Sequence, residues 1–190
     1  SFGNHLPLAL IAGPCVLEGV DYDQGLEFAL RTAETLRTVC SAYGFPLVYK
    51  ASFDKANRTS ATSYRGPGME LGLRILERVR HELGVPVVTD VHEIHQAHHV
   101  GRVVDMLQTP AFLCRQTDFI QAVAQVGKAI MIKKGQFLAP NDMAQVAGKA
   151  LQVGNGHILL CERGVSFGYH NLVVDMRGLT LMADTGFPVI

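Results

Sequence analysis

Chemically active side chains follow six short apolar runs of this sequence. The run VPVVT leads to Asp90 and His92, and the run AIMI ends at Lys133. The carboxyl ends of parallel strands share one face of a sheet or barrel, so reactive residues at those ends converge on one site. The pattern therefore predicts a single active site built from many strand ends. Its other members are Cys15, Lys50, Lys55, Asn57, Arg58, Phe112, Arg115 and Arg163.

The densest polar stretch is the segment from Lys50 to Gly68, KASFDKANRTSATSYRGPG. It is too long and too polar for a tight turn, and long loops inside compact domains are usually functional or disordered. Phosphate accepts charge-assisted hydrogen bonds from Lys, Arg and hydroxyl donors. The segment therefore indicates a phosphate-binding loop; a solvated loop of scattered charge is the alternative. Its candidate phosphate-binding donors are the four cations Lys50, Lys55, Arg58 and Arg65, the hydroxyls of Ser52, Thr59, Ser60, Thr62 and Ser63, and the amide of Asn57.

Two lysines, Lys133 and Lys134, stand directly at the end of an apolar strand, and Arg163 follows another. An ammonium group is costly to place there unless an anion compensates it. Lysines that extend along apolar surface to reach water are the alternative. Several cations around one strand face favour a substrate, or a pair of substrates, with several negative charges.

Histidines cluster after the third strand. His95, His98 and His99 have the helical spacing of metal ligands, but HEIHQ is not an HExxH motif and the group lies on a predicted surface helix. We therefore interpret His92, two residues after Asp90 at a strand end, as the functional histidine. The Asp90 carboxylate could accept hydrogen bonds from sugar hydroxyls.

The composition excludes several classes of partner. The 190 residues carry 17 basic and 17 acidic side chains and are 48% hydrophobic. This balance argues against nucleic acid or an anionic membrane held by bulk charge. The four cysteines show no CxxC pair, so reduced thiols are expected, and no apolar segment is long enough to span a bilayer. We expect a cytoplasmic protein.

Strand-like runs alternate with amphipathic stretches along the chain, as in repeated βα units. The strands are expected near 7–12, 46–51, 85–90, 103–109, 129–133 and 157–162, and the helices near 22–43, 68–83, 93–101, 115–126, 141–153 and 171–184. A seventh strand begins at Pro188. No GxGxxG or GxxxxGK[ST] motif follows a strand, so a nucleotide fold is disfavoured. We predict an α/β TIM (β/α)8 barrel, with residues 1–190 forming about six βα units of one domain whose C-terminal part lies outside this chain.

Six segments together resemble the 3-deoxy-D-manno-octulosonate 8-phosphate synthase family. They are LIAGPCVLEG, KASFDKANRTS with SYRGPG, TDVHE, LQTPAFLCRQTD, KKGQFLAP and ERGVSFGYHNLVVDMR, and they cover the chain in order. KANRTS is the discriminating segment, because the related 3-deoxy-D-arabino-heptulosonate 7-phosphate synthases tend to show KPRTS. The resemblance implies condensation of phosphoenolpyruvate with arabinose 5-phosphate, with release of phosphate, on the route to a lipopolysaccharide sugar.

The resemblance also implies roles for individual residues. Phosphoenolpyruvate would be held by Lys55, Lys133 and Arg163, with Lys50 and Ser52 nearby. The aldose phosphate would be held by Asn57, Arg58 and Thr59, and by Arg115 across a subunit boundary. Asp90 would contact the pentose hydroxyls, while Phe112 and Gln136 would shape the pocket. Lys55, Asp90, His92 and Lys133 are the expected catalytic residues.

Cys15 indicates a subdivision of that family. Members with Cys in the GPC segment resemble the metal-dependent class, in which His, Glu and Asp complete a divalent site; here those three ligands are expected beyond this chain. By the same resemblance we expect a homotetramer. Two alternatives remain open at this point: a heptulosonate 7-phosphate synthase-like enzyme, and a non-catalytic sugar-phosphate binding remnant.

Overall fold

The computed structural model describes residues 1–190, which form six main strands alternating with six helices. The strands are β1 (Leu10–Ala12), β2 (Leu47–Lys50), β3 (Val87–Asp90), β4 (Met106–Thr109), β5 (Ala129–Lys133) and β6 (Ile158–Cys161). The helices are α1 (Tyr22–Tyr43), α2 (Met69–Leu83), α3 (Ile94–Gly101), α4 (Thr117–Gln125), α5 (Met143–Leu151) and α6 (Arg177–Ala183). The strands follow chain order in one sheet, and the pairs β1–β2, β2–β3 and β5–β6 are parallel. The predicted α/β class with a parallel sheet is confirmed, whereas closure into a full barrel stays a prediction.

The chain divides into two compact units, which are described separately. The β1–β3 unit comprises Pro7–Asp90 and Val100–Met106. The β5–β6 unit comprises Ser1–Leu6, Val91–His99 and Leu107–Ile190. None of the six helices combines the length and the apolar character that a membrane span requires.

In the β1–β3 unit the core lies between the strands and the helices α1 and α2. Helix α1 begins where the Asp21 side chain accepts a hydrogen bond from the backbone N–H of Gln24, and it ends at Gly44, whose φ of 72° suits glycine. Gly13 allows β1 and β2 to approach closely, because a Cβ atom there would lie 1.9 Å from the carbonyl oxygen of Lys50. The carboxyl ends of β1 and β2 therefore lie against each other.

In the β5–β6 unit the two strands pair over four residues each, and Lys133 is in register with Cys161. The predicted seventh strand is confirmed as an extended segment, since Val189 forms a parallel bridge to Leu160 of β6. The buried side chains of this unit come from the strands and from α4 and α5. They are Ile120, Val123, Ile130, Met131, Ile132, Val146, Ala147, Ala150, Leu159 and Leu160.

The prediction of a helix over 171–184 is wrong in its first part. Leu172–Val173 is a strand, β8, which pairs antiparallel with the strand β7 at Val165–Ser166. Helix α6 begins only at Arg177. The β-branched pair Val173 and Val174 suits an extended chain better than a helix.

Candidate active site

A buried polar cluster links the ends of β2 and β3. The Ser52 hydroxyl donates to Oδ2 of Asp90 at 2.8 Å and accepts from Nζ of Lys55, also at 2.8 Å. Lys55 Nζ also lies 3.4 Å from the same carboxylate oxygen. The side chains of Lys55 and Asp90 are only 13% and 7% exposed. Three of the predicted residues are thus brought together, and the ammonium group is held in place by an anion and a hydroxyl.

The predicted phosphate loop is folded back on itself by a clasp at its neck. The Arg65 guanidinium donates two hydrogen bonds to the two carboxylate oxygens of Asp54, at 2.8 and 2.6 Å. These bonds raise the pKa of the Arg65 guanidinium further. Next to the clasp, the backbone N–H of Lys55 donates to the carbonyl of Arg65 at 2.7 Å. Lys55 therefore stands at the junction between the buried cluster and the loop.

The tip of this loop presents donors to solvent. Asn57, Arg58 and Thr59 are all exposed. The Arg58 guanidinium makes one long hydrogen bond, 3.4 Å, from Nε to the carbonyl of Tyr64, which leaves its other N–H groups available. An amide, a guanidinium and a hydroxyl side by side can bind the three outer oxygens of a phosphate monoester.

The β1–α1 loop packs against the same region and carries Cys15. The Tyr64 hydroxyl donates to the Leu17 carbonyl at 3.0 Å, and burial together with the nearby Glu18 raises the pKa of that phenol. The Cys15 thiol is exposed, just after β1. One thiol is not a divalent site, and no three His, Cys, Asp or Glu side chains in this structure are grouped so as to hold a metal ion. Cys15 is therefore the one residue of the predicted metal site that this structure describes.

Lys50, the last residue of β2, is half-buried. It lies two residues before Ser52, at the strand end from which the buried cluster begins. Its carbonyl oxygen is the one that Gly13 approaches. The backbone position of this predicted residue is therefore set by the contact between β1 and β2.

The β5–β6 unit carries a second set of cations. Lys133 closes β5 and is half-buried, and Arg163 follows β6 and is exposed. Neither the Lys133 ammonium nor the Arg163 guanidinium forms a hydrogen bond or ion pair with another residue of the chain. Because β5 and β6 are adjacent and parallel, the backbones of Lys133 and Arg163 lie at the same end of this strand pair.

Lys134 is a residue that sequence reasoning placed among the cations but did not assign to a site. Its side chain is 2% exposed, and its Nζ lies 3.5 Å from Oε1 of Glu162. Both residues line a cavity of about 480 Å³ that also contacts Gln136, Ser166 and Asp175. A second lysine immediately after a strand-end lysine was the available signal, because two successive cations cannot both extend into water from the same strand face.

Four predicted residues lie elsewhere in the β5–β6 unit. His92 is half-buried, and its backbone N–H is bound by the Gln96 side chain at 2.9 Å. Phe112 is 58% exposed in a short 3₁₀ turn, Ala111–Leu113. Arg115 is exposed and borders a cavity of about 260 Å³ with Asp142 and Lys149. The backbone carbonyl of Gln136 accepts from Ser166 at 3.0 Å, so Gln136 is fixed to the loop after β6.

Sequence comparison shows which family this chain belongs to. Over residues 1–190 the chain matches a family model described as the DAHP synthetase I family. The chain belongs to the DAHP synthetase I family.

Similar members of the DAHP synthetase I family carry one name, 2-dehydro-3-deoxyphosphooctonate aldolase, which denotes the octulosonate 8-phosphate synthases. The protein of Magnetococcus marinus is 71% identical over 189 residues, which cover 100% of this chain and 64% of that relative. The Acidithiobacillus ferrooxidans protein is 62% identical over 188 residues, with 99% and 65% covered. The Methylococcus capsulatus protein is 61% identical over 188 residues, with 99% and 64% covered. This chain therefore spans about 64% of the length of such relatives, and the resemblance to their branch is confirmed.

Proposed function

We propose that the protein condenses phosphoenolpyruvate with D-arabinose 5-phosphate and water to give 3-deoxy-D-manno-octulosonate 8-phosphate and inorganic phosphate. The observation that carries the proposal is the high identity, between 59% and 71%, to relatives that are named for this enzyme. The same names do not favour a heptulosonate 7-phosphate synthase or a non-catalytic binding remnant. The substrates together bear two phosphates and a carboxylate, which suits the many cations at strand ends.

The proposed roles are those that the resemblance to the octulosonate 8-phosphate synthases implies, and contacts within each unit support them. Lys133 and Arg163, whose charged groups have no protein partner, bind the anionic groups of phosphoenolpyruvate, aided by Lys50. Lys55, held by Ser52 and Asp90, presents a fixed positive charge to the same substrate. A charge that is already oriented stabilises the charge developing in the transition state without reorganisation.

The second substrate is assigned to the loop tip. Asn57, Arg58 and Thr59 bind the phosphate of arabinose 5-phosphate, and Arg115 adds a cation from a neighbouring subunit. Asp90 accepts hydrogen bonds from the pentose hydroxyls, His92 is a further catalytic residue, and Phe112 and Gln136 limit the pocket. We also propose a homotetramer, since Arg115 acts only through association of subunits. A cytoplasmic location is proposed as well.

In the proposed reaction a carbon–carbon bond forms and the carbon–oxygen bond to phosphate breaks. Carbon 3 of phosphoenolpyruvate attacks the aldehyde carbon of the pentose, whose oxygen becomes a hydroxyl on taking up a proton. Water adds at carbon 2 and gives up one proton, which balances the proton taken up by the aldehyde oxygen. The bond between carbon 2 and the phosphate oxygen then breaks, the second proton of the water leaves with inorganic phosphate, and the water oxygen remains as the keto oxygen. The chain's residues supply orientation of two anions and electrostatic stabilisation.

Cys15 is proposed as one ligand of a divalent metal, on the resemblance to the metal-dependent class. A metal would supply Lewis-acid orientation of an aldehyde or a water. The test is metal content of the full-length protein after Cys15→Asn, with Cys40→Ala, a buried thiol, as the control. Lower metal content in Cys15→Asn alone supports the assignment; equal metal content in both variants and the wild type removes Cys15 from the ligand set.

The proposed reaction is tested by phosphate release from phosphoenolpyruvate by the full-length protein. Arabinose 5-phosphate and erythrose 4-phosphate are compared side by side, with and without added divalent metal. Release with the pentose alone supports the proposal. Release with erythrose 4-phosphate moves the protein to the heptulosonate branch, and release with neither favours the binding remnant.

A further inference from the structure

A buried ammonium group joins the loops that follow β5 and β6. Lys134 Nζ donates to the carbonyl of Gly164 at 2.9 Å and to the carbonyls of Gly135 and Leu138, both at 3.4 Å. With its side chain 2% exposed, Lys134 exchanges its hydration shell for oxygens of the protein. A lysine has three N–H donors, so these three carbonyls satisfy the group.

Glu162 supplies the compensating charge and a second set of bonds. Its Oε1 lies 3.5 Å from Lys134 Nζ, and the same oxygen accepts from the backbone N–H of Arg163 at 3.0 Å and from that of Gly164. In the turn at 162–164, the Glu162 side chain thus binds the backbone N–H groups of Arg163 and Gly164, and the Lys134 ammonium binds the Gly164 carbonyl. Arg163 lies in the middle of this turn.

The loop after β5 is fixed by the same group. Lys134 binds the carbonyls at both ends of the turn from Gly135 to Leu138, which contains Gln136. The backbone N–H of Lys134 also donates to the carbonyl of Cys161 at 2.8 Å, which continues the β5–β6 ladder. Lys133 directly precedes Lys134, so this bond also fixes the backbone of Lys133 relative to the turn that contains Arg163.

We propose that Lys134 and Glu162 are positioning residues that hold Arg163 beside Lys133 for the binding of phosphoenolpyruvate. This inference rests on the proposed function. Lys134 itself does not bind substrate, because its donors are occupied by backbone carbonyls. A displacement of about 1 Å in a binding group can cost about 10²-fold in rate, so a rigid turn under Arg163 has a measurable effect.

The test compares Glu162→Ala with Glu162→Gln in the full-length protein. Glutamine keeps an acceptor oxygen for the two backbone N–H groups, whereas alanine removes it. For Glu162→Ala we expect KM and Kd for phosphoenolpyruvate to rise roughly 10-fold, with KM for arabinose 5-phosphate within about 2-fold of wild type. Glu162→Gln keeps both substrate constants near wild type. Lys134→Met is expected to behave as Glu162→Ala, and thermal unfolding shows whether each variant is folded.

The outcomes separate this inference from the proposed function. The positioning role is overturned by equal KM increases for both substrates, or by equal constants in the alanine and glutamine variants. Turnover by the wild type would in that case still support the proposed function. A wild type that binds phosphoenolpyruvate but does not react with the pentose overturns the function, and the Kd comparison still decides the positioning role. A wild type that binds no phosphoenolpyruvate overturns both. If Lys134→Met fails to fold, the Glu162 pair decides alone.

Discussion

The ammonium nitrogen of Lys55 lies 3.4 Å from Oδ2 of Asp90, although the two residues are 35 positions apart in the chain. Ser52 bridges them with two hydrogen bonds of 2.8 Å. The cluster joins the ends of two adjacent strands, so it contributes both to the fold of the β1–β3 unit and to the placement of a cation.

Asp90→Asn tests the first of these contributions. The amide keeps the shape of the side chain but leaves the Lys55 ammonium buried without its anion, and breaking such a pair costs about 3 kcal/mol. We expect the free energy of unfolding to fall by about that amount in urea titrations. Asp175→Asn is the control, because Asp175 pairs with the 87% exposed Arg177. Equal shifts of the unfolding midpoint in the two variants would contradict the prediction.

Tyr49→Phe tests a buried hydroxyl. The Tyr49 side chain is 0% exposed and its hydroxyl has no hydrogen-bond partner, so its removal should stabilise the protein by about 1 kcal/mol at neutral pH. Burial also raises the pKa of Tyr49 above its ordinary value of 10.0. Folding then favours the protonated phenol, so this group leaves stability independent of pH below pH 10, and the protein loses stability as the pH rises above 10 because the unfolded chain releases the proton that the folded chain retains.

The measurement for Tyr49→Phe is the free energy of unfolding between pH 7 and pH 11. The variant should lose less stability than the wild type above pH 10. Tyr43→Phe, at a 75% exposed tyrosine, is the matched control and should follow the wild type throughout. Identical alkaline slopes for Tyr49→Phe and wild type would refute the assignment.

The clasp between Asp54 and Arg65 predicts a charge-swap rescue. Asp54→Arg alone should open the neck of the loop and raise the rate of tryptic cleavage after Arg58, because two guanidinium groups then repel each other. The double variant Asp54→Arg with Arg65→Asp should restore slow cleavage. Arg31→Ala, an exposed residue on α1, serves as the control for general effects of charge. Failure of the double variant to slow cleavage would show that the pair does not hold the loop.

Arg58→Ala separates the two substrates of the proposed reaction. We expect KM for arabinose 5-phosphate to rise at least about 10-fold, because a guanidinium bond to phosphate is worth about 1.5–3 kcal/mol. KM for phosphoenolpyruvate should stay within about 2-fold of wild type. Steady-state phosphate release measures both constants. A similar loss for both substrates would reassign Arg58.

The strand ends were predictable because apolar runs in a parallel sheet end where polar residues begin. Asp90 and Lys133 accordingly close β3 and β5 as expected. The contacts that organise these residues were not predictable. Neither the apolar runs nor the motifs predict that Ser52 bridges Lys55 and Asp90, since the partner of a hydroxyl depends on the tertiary structure. The hairpin of β7 and β8 was missed because each strand has two residues, too few for a periodicity to show.

The lysines Lys133 and Lys134 also show what the sequence alone does not predict. The sequence indicates that two cations at a strand end need anions, but it does not indicate which of them lies inside. Three backbone carbonyls and Glu162 surround Lys134, and all four come from turns whose course is set by the fold.

Gly13 has a consequence for how this protein tolerates sequence change. Any side chain there would separate β1 from the Lys50 carbonyl and so move a cation that Gly13 itself never touches. In a library of variants selected for catalysis, position 13 would therefore tolerate no more replacements than a ligand-binding position, although its only partner is backbone.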